Sequence, residues 1–232
     1  MTTMKYLLLA GGAACAILAG AAGGASAAPY AFSVYTANQG GAGFDASPGA
    51  PGFNFGGAIN ATFTYTGDLS FNIGPPQNGS SSGDLNSDFF NGGAGISGYA
   101  GAGTLPGPAN ADFTSLASFL ASSGSASGFQ YGSFYTIELG NLAAGTILTI
   151  SHDDGVSVYQ GGVRQGTTTS GPTSEVTETV TLGAGGPTTL YFGRQNGAPS
   201  VLEVSIPEPA SLALLGAGLL GLGFVRRRNG QA

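Results

Sequence analysis

The chain has 232 residues, among them 43 glycines and 12 prolines, with one cysteine, one histidine and a formal charge of −6. Charged residues make up 8% of it, against about 25% in an ordinary domain, so Gly, Ser, Thr and Asn carry most of the polarity. Twelve acidic residues lie between Asp45 and Glu208, where only Arg164 and Arg194 oppose them. That region sits near −10 and makes a poor partner for nucleic acid or an anionic membrane surface, since both select clustered Lys or Arg.

At the start, Lys5 supplies a short basic region, residues 6–20 are apolar, and Ala25-Ser26-Ala27 forms an A-x-A cleavage pattern. Residues 1–27 therefore read as a signal peptide removed by signal peptidase. Cys15 lies inside it, and Gly12 stands where a lipoprotein signal wants a larger apolar residue. Without Cys15 the mature chain has no thiol chemistry and no disulfide. Residues 28–206, about 180 in all, suffice for one domain with a real core.

Residues 30–36 read as an edge strand, and 37–57 as a Gly/Pro/Asn-rich loop. A hairpin is expected next: Phe63 and Tyr65 alternate with threonines, Gly67-Asp68 turns, and Leu69, Phe71 and Ile73 alternate with Ser70 and Asn72. Residues 74–107 are dominated by turn formers and read as surface loop. A helix is expected over 112–122, capped by Asp112, with Phe113, Leu116, Ala117 and Leu120 on one face.

From Gly128 the alternation becomes regular. Phe129, Tyr131, Tyr135 and Ile137 share one face, then Leu148 and Ile150, Val156 and Val158, Val176, Val180 and Leu182, residues 190–192, and finally Leu202, Val204 and Ile206. Short strands at roughly ten-residue spacing with Gly/Pro turns are the pattern of an antiparallel sandwich or barrel. No stretch reads as a repeating βαβ unit.

The chemistry, if there is any, belongs at Ser151-His152-Asp153-Asp154-Gly155, an acidic turn between two strands, followed by Gly161-Gly162-Val163. Asp-Asp-Gly is itself a good tight turn. The stretch also resembles the strand, Asp-Asp-Gly, strand core of PA14-like β-sandwich domains, and Leu182-Gly183-Ala184-Gly185 with Leu190-Tyr191-Phe192 resembles the segment that follows. The likeness spans residues 129–206 and departs where Gln160-Gly161 replaces a second Asp-Gly. In lectin-like PA14 members, two consecutive aspartates joined by a cis peptide hold one Ca²⁺ that coordinates sugar hydroxyls. The resemblance thus implies Asp153 and Asp154 as carboxylate ligands. Calcium wants six to eight oxygens, and Asn196, in the Gln195-Asn196-Gly197 turn, is the natural further side-chain ligand.

Other candidates are weak. His152, with no cysteine nearby in the mature chain, cannot assemble a typical zinc set. Gly79-Ser80-Ser81-Ser82-Gly83 matches G-x-S-x-G only inside a Gly/Ser loop. The G-x-G-x-x-G string from Gly93 to Gly98 precedes no strand-to-helix unit. Residues 84–88 open like an EF-hand, but Phe89 takes the required glycine position.

Near the end stand Pro207, Glu208 and Pro209, an uncharged run over 210–225, and then Arg226, Arg227 and Arg228. The run is 16 residues, roughly 24 Å as a helix, slightly short of a hydrocarbon core of roughly 30 Å. The arginines would stay cytoplasmic. This order of parts resembles the sorting tail of PEP-CTERM proteins, which implies export by a Gram-negative bacterium, transient residence in the inner membrane, and processing by an exosortase. The destination would be the cell surface or extracellular matrix.

The expected fold is mainly β: an antiparallel β-sandwich of PA14-like jelly-roll type with one short helix, an N-terminal signal helix and a C-terminal transmembrane helix. The expected domains are 1–27, 28–206 and 207–232. Three functions stay open. The first is a structural or adhesive role without catalysis, the second calcium-dependent binding of an extracellular polysaccharide, and the third, weakest, a secreted hydrolase.

Overall fold

The computed structural model describes residues 29–38, 44–48, 58–74, 84–105, 110–126, 128 and 130–207. The signal-peptide segment, Phe129, the Gly79–Gly83 string and the tail beyond Pro207 lie outside them. Among the described residues no helix is long and apolar enough to cross a membrane.

The first half contributes strands β1 (Tyr30–Asn38), β2 (Ala61–Tyr65) and β3 (Ser70–Ile73), then a one-turn helix α1 (Asn86–Phe89). Strands β4 (Ile96–Gly101), β5 (Thr104–Leu105) and β6 (Ala111–Asp112) follow, then helix α2 (Leu116–Ala121). The second half is all strand: β7 (Tyr131–Leu142), β8 (Ile147–Asp153), β9 (Val156–Gln160) and β10 (Val163–Gln165). It finishes with β11 (Val176–Thr181), β12 (Gly186–Gln195) and β13 (Ser200–Ser205).

These strands make a larger sheet, ordered β10-β9-β12-β7-β1-β2-β4, and a smaller one, ordered β11-β8-β13-β3. Every named pairing is antiparallel. The core lies between the sheets because the alternating residues of both point inward: Phe32, Tyr135, Ile137, Val158 and Phe192 from one, Phe71, Leu148, Ile150 and Leu202 from the other. Face-to-face sheets with alternating inner faces form a β-sandwich.

β7 departs from simple alternation, since residues 131–135 are all buried. Its outer face is covered too. Residues 44–48 lie across it, with Phe44 edge-on to Phe134 at 4.9 Å and Tyr35 and Ala46 beside them. The Ala46 amide donates to the Ser170 carbonyl at 2.6 Å, and Ser157 Oγ donates to the Ala46 carbonyl.

Four expectations need correction. β1 is not an edge strand, for it pairs with β7 on one side and β2 on the other. β2 and β3 are not a hairpin; Gly67-Asp68 is a corner that carries the chain from one sheet to the other. The Leu69 carbonyl is already taken there by the Val204 amide at 2.7 Å, which commits β3 to β13. Residues 74–107 are not all surface loop, because α1 buries Phe89 and its neighbour Phe90 completely in the core. Finally, the soluble helix is capped by Ser115, whose Oγ accepts the Ser118 amide at 3.1 Å. Asp112 instead accepts the Thr114 amide and hydroxyl; of the expected face, Phe113, Leu116 and Leu120 meet the core while Ala117 is exposed, and Phe119 is the residue the helix buries fully.

The sandwich has two distinct poles. β8 ends at Asp153, β12 ends at Gln195 and β13 begins at Ser200, so these three ends meet at one of them. β13 then runs to Ser205 at the other pole, among the turns after β7, β9 and β11. There the Gly145 amide donates to the Leu182 carbonyl at 2.7 Å and the Gly161 amide to the Pro187 carbonyl at 2.9 Å.

Candidate cation and ligand site

β8 lies between β13 and β11, with Val201 opposite Asp153 and Val176 opposite His152. The chain leaves it at Asp153 and enters β9 at Val156, so Asp154 and Gly155 form the corner. Only glycine fits at the second position: a Cβ on Gly155 would stand 2.1 Å from the Ser170 carbonyl oxygen. The Asp153–Asp154 peptide bond is cis, the form that the PA14 resemblance implies.

Both aspartates are buried, at 8% and 4% exposure. Asp154 Oδ2 accepts the Gln195 amide at 2.6 Å, which ties the corner to the loop 195–199. The Thr173 amide favours the charged form of Asp154 and the Glu175 amide that of Asp153. The corner and the loops 172–175 and 195–199 wall a pocket of about 500 Å³. Asp153, Asp154 and Asn196 all line it, so the structure brings the three sequence-predicted residues together.

No Lys, Arg or His is among the lining residues. The electrostatic result is plain. Burial, reinforced by the Glu175 carboxylate, pushes Asp153 up to about 6. Burial pushes Asp154 up to about 8 against the Gln195 amide bond, which lowers it, with Asp153 and Asp84 adding smaller repulsions. The pocket is therefore lined by two acids that, with no basic residue among its walls, keep their protons well above the usual carboxylate range.

His152, fully buried, is a brace. Its Nδ1 meets the Asp154 carbonyl at 2.5 Å and its Nε2 meets Glu178 Oε2 at 2.9 Å. Glu178 feels burial raising its pKa, but bonds from Thr169 and His152 outweigh that and leave it lowered. With both nitrogens engaged, His152 is available neither as a metal ligand nor as a general base.

The donor set suits a hard divalent cation. Among the described residues no group of three His, Cys, Asp or Glu side chains gathers to hold a metal, so the site rests on two carboxylates with amide and carbonyl oxygens. Asn196 adopts φ +74°, and its Oδ1 accepts the Gly128 amide at 3.1 Å, which leaves that oxygen a second lone pair. An oxygen-only set with two carboxylates fits Ca²⁺ better than a nitrogen- or sulfur-seeking metal.

Behind the pocket lies a network that sequence reasoning missed. Arg194, fully buried, donates to the Asp84 carboxylate, to Asn86 Oδ1 at 2.9 Å and to Tyr135 Oη at 3.2 Å. Its guanidinium lies 4.1 Å over the Phe89 ring. Burial works against the arginine's charge, but Asp84 and Tyr135 more than offset it and raise its pKa. The one available signal was an arginine placed inside the apolar strand that starts at Leu190. Glu175 and Thr173 carried no signal at all.

Of the sorting residues, Pro207 follows β13 and is exposed, while Glu208, Pro209, Arg226, Arg227 and Arg228 lie outside the described residues. Residues 205–228 match the PEP-CTERM protein-sorting motif. The chain is thus marked for export through an exosortase-type, membrane-associated sorting system. The match begins on the last residue of β13, so the motif starts where the sandwich ends.

No curated protein matches the chain. Two solved structures are similar. One is the PA14 domain of the antifreeze protein MpAFP, at 14% identity and TM-score 0.47, covering 77% of this chain and 80% of that one. The other is a PA14 sugar-binding domain from an RTX adhesin, at 14% identity and TM-score 0.48, covering 78% and 89%.

Proposed function

We propose that this chain is an exported, non-catalytic adhesive protein whose sandwich binds a neutral glycan in the pocket at Asp153 and Asp154, with Ca²⁺ as the bridging ion. One observation carries the reading: two adjacent buried carboxylates floor an open pocket that has no basic residue to balance them. Asp153 and Asp154 would hold the ion, with Asn196 and loop carbonyls as further oxygens. When bound, Ca²⁺ supplies charge neutralisation and open coordination positions for sugar hydroxyls. The chain's own residues do the rest: the Gln195 amide orients the Asp154 carboxylate, and the two loops shape the opening.

The division into 1–27, 28–206 and 207–232 belongs to the same reading, as does passage through the inner membrane of a Gram-negative bacterium to its surface or matrix. The poles support it. The junction with the sorting motif is at one end of β13 and the pocket at the other, so a chain tethered by its tail displays the pocket outward. Engagement of both His152 nitrogens argues against a hydrolase.

The test is thermal unfolding with and without calcium, followed by a glycan array with and without chelator. A melting temperature raised by calcium in the wild type and unmoved in Asp154→Asn supports the ion site. A chelator-sensitive glycan signal supports the ligand class. Identical melting with calcium and with chelator would remove both.

A further inference from the structure

The geometry points to Ser125, Asp84 and Arg194 as positioning residues that hold the 195–199 loop in its ligand-ready place and so set the calcium affinity of the pocket. This rests on the calcium reading above.

The Gln195 amide bonds the loop to the pocket floor at Asp154, and further bonds of the loop reach away from the floor. Ser125 Oγ accepts the Gly197 amide at 3.0 Å and donates its own proton to Asp84 Oδ2. At the far end of the loop, Ser200 Oγ donates to Asp84 Oδ1 at 3.1 Å. One carboxylate thus grips the loop at two points, through Ser125 and directly through Ser200.

Asp84 is in turn held where it is. It is 2% exposed, Arg194 donates to the same Oδ1, and its carbonyl takes the Gly124 amide at 2.7 Å. Gly124 has to be glycine, since a Cβ there would lie 2.3 Å from the Arg194 guanidinium carbon. Arg194 immediately precedes the loop in sequence. The ion pair therefore connects the α1 segment to the strand that feeds the pocket wall. A buried carboxylate that satisfies three donors and is paired with one cation has a single low-energy arrangement. That rigidity passes to Gly197 through one hydroxyl.

A merely structural network would lower stability without touching affinity. If the network positions the loop, its loss lowers the fraction of molecules in the competent state, and apparent affinity falls by that same fraction. The experiment measures calcium dissociation constants by isothermal titration for the full exported protein in three forms: wild type, Ser125→Ala and Val180→Ala. Val180 is fully buried on β11 far from the pocket, so its truncation lowers stability alone. We expect Ser125→Ala to weaken calcium binding about tenfold and Val180→Ala to leave it within about twofold. Ser200→Ala, which removes the weaker grip, should fall between them and serves if Ser125→Ala does not fold. Amide exchange at Gly197 should quicken in Ser125→Ala and not in Val180→Ala. Wild-type affinity in Ser125→Ala, or in Ser200→Ala where it stands in, would overturn the positioning role and leave the calcium reading standing. No calcium binding by the wild type would overturn both.

Discussion

The Gln195 amide donates to the Asp154 carboxylate at 2.6 Å, joining the end of β12 to the corner between β8 and β9. That one bond links the two sheets at the pole where the pocket opens. Its acceptor is also an acid held protonated to about pH 8 by burial. The site's stability and its capacity to take a cation are therefore coupled.

The coupling gives a pH dependence of definite sign. Folded Asp153 and Asp154 keep their protons to about 6 and about 8, while the ordinary value is 3.8. Between these limits the folded chain binds more protons than the unfolded one, so without calcium its stability falls as pH rises from 4 towards 8. Glu178, held below its usual range, acts only beneath that window. Melting in chelator at pH 5 and pH 8 checks this. The midpoint should be lower at pH 8, calcium should raise it most there, and Asp153→Asn with Asp154→Asn should shrink the difference.

His152→Ala should destabilise the domain by about 2–3 kcal/mol, since it removes a buried side chain and strands the Asp154 carbonyl and Glu178 without their partner. Glu178→Gln, which keeps an acceptor for His152, should cost less than about 1 kcal/mol. Urea denaturation of the two variants separates them. Equal losses would contradict the bracing role.

Gly155→Ala puts a Cβ 2.1 Å from a backbone oxygen that cannot rotate away. The expected loss is about 3 kcal/mol, at the upper end of overpacking costs, read from the shift in denaturation midpoint. An unchanged midpoint would mean that the corner is looser than described.

The pocket should discriminate against acidic sugars. Glu175 lines it; Arg194 is committed to Asp84, and Arg164 donates to the Thr168 carbonyl at 2.8 Å. Glu175→Gln should raise affinity for a uronic-acid-containing glycan roughly two- to fivefold, the worth of one exposed charge, and leave a neutral glycan unchanged. Competition assays with matched neutral and acidic oligosaccharides read this directly.

Much of the second half was legible in the sequence because its signals are local. The alternation of Leu148 with Thr149 and of Val176 with Thr177 fixes strands whatever their partners, and Asp153-Asp154-Gly155 marks a corner by composition. Partnership is not local. Phe63–Tyr65 and Leu69–Ile73 look like a hairpin because the short Gly67-Asp68 turn suits one; what sends them to different sheets is competition from Val204, 135 residues from its partner Leu69, and from Gly95, 29 residues from its partner Thr66. Asp84 looked like a failed calcium loop, and its real partner Arg194 is 110 residues on. Ser125 and Glu175 gained their roles only once two distant loops met, so no pattern in either could announce them.

The central claim is that Asp153 and Asp154 hold a calcium ion, and isothermal titration of the full exported protein at pH 8 tests it most directly. The account predicts one site with a dissociation constant of about 10⁻⁴–10⁻³ M, the range of extracellular modules, lost in Asp154→Asn and weakened at pH 5.5. No binding heat up to about 10 mM calcium, well past that range, or the same isotherm in Asp154→Asn, would contradict it.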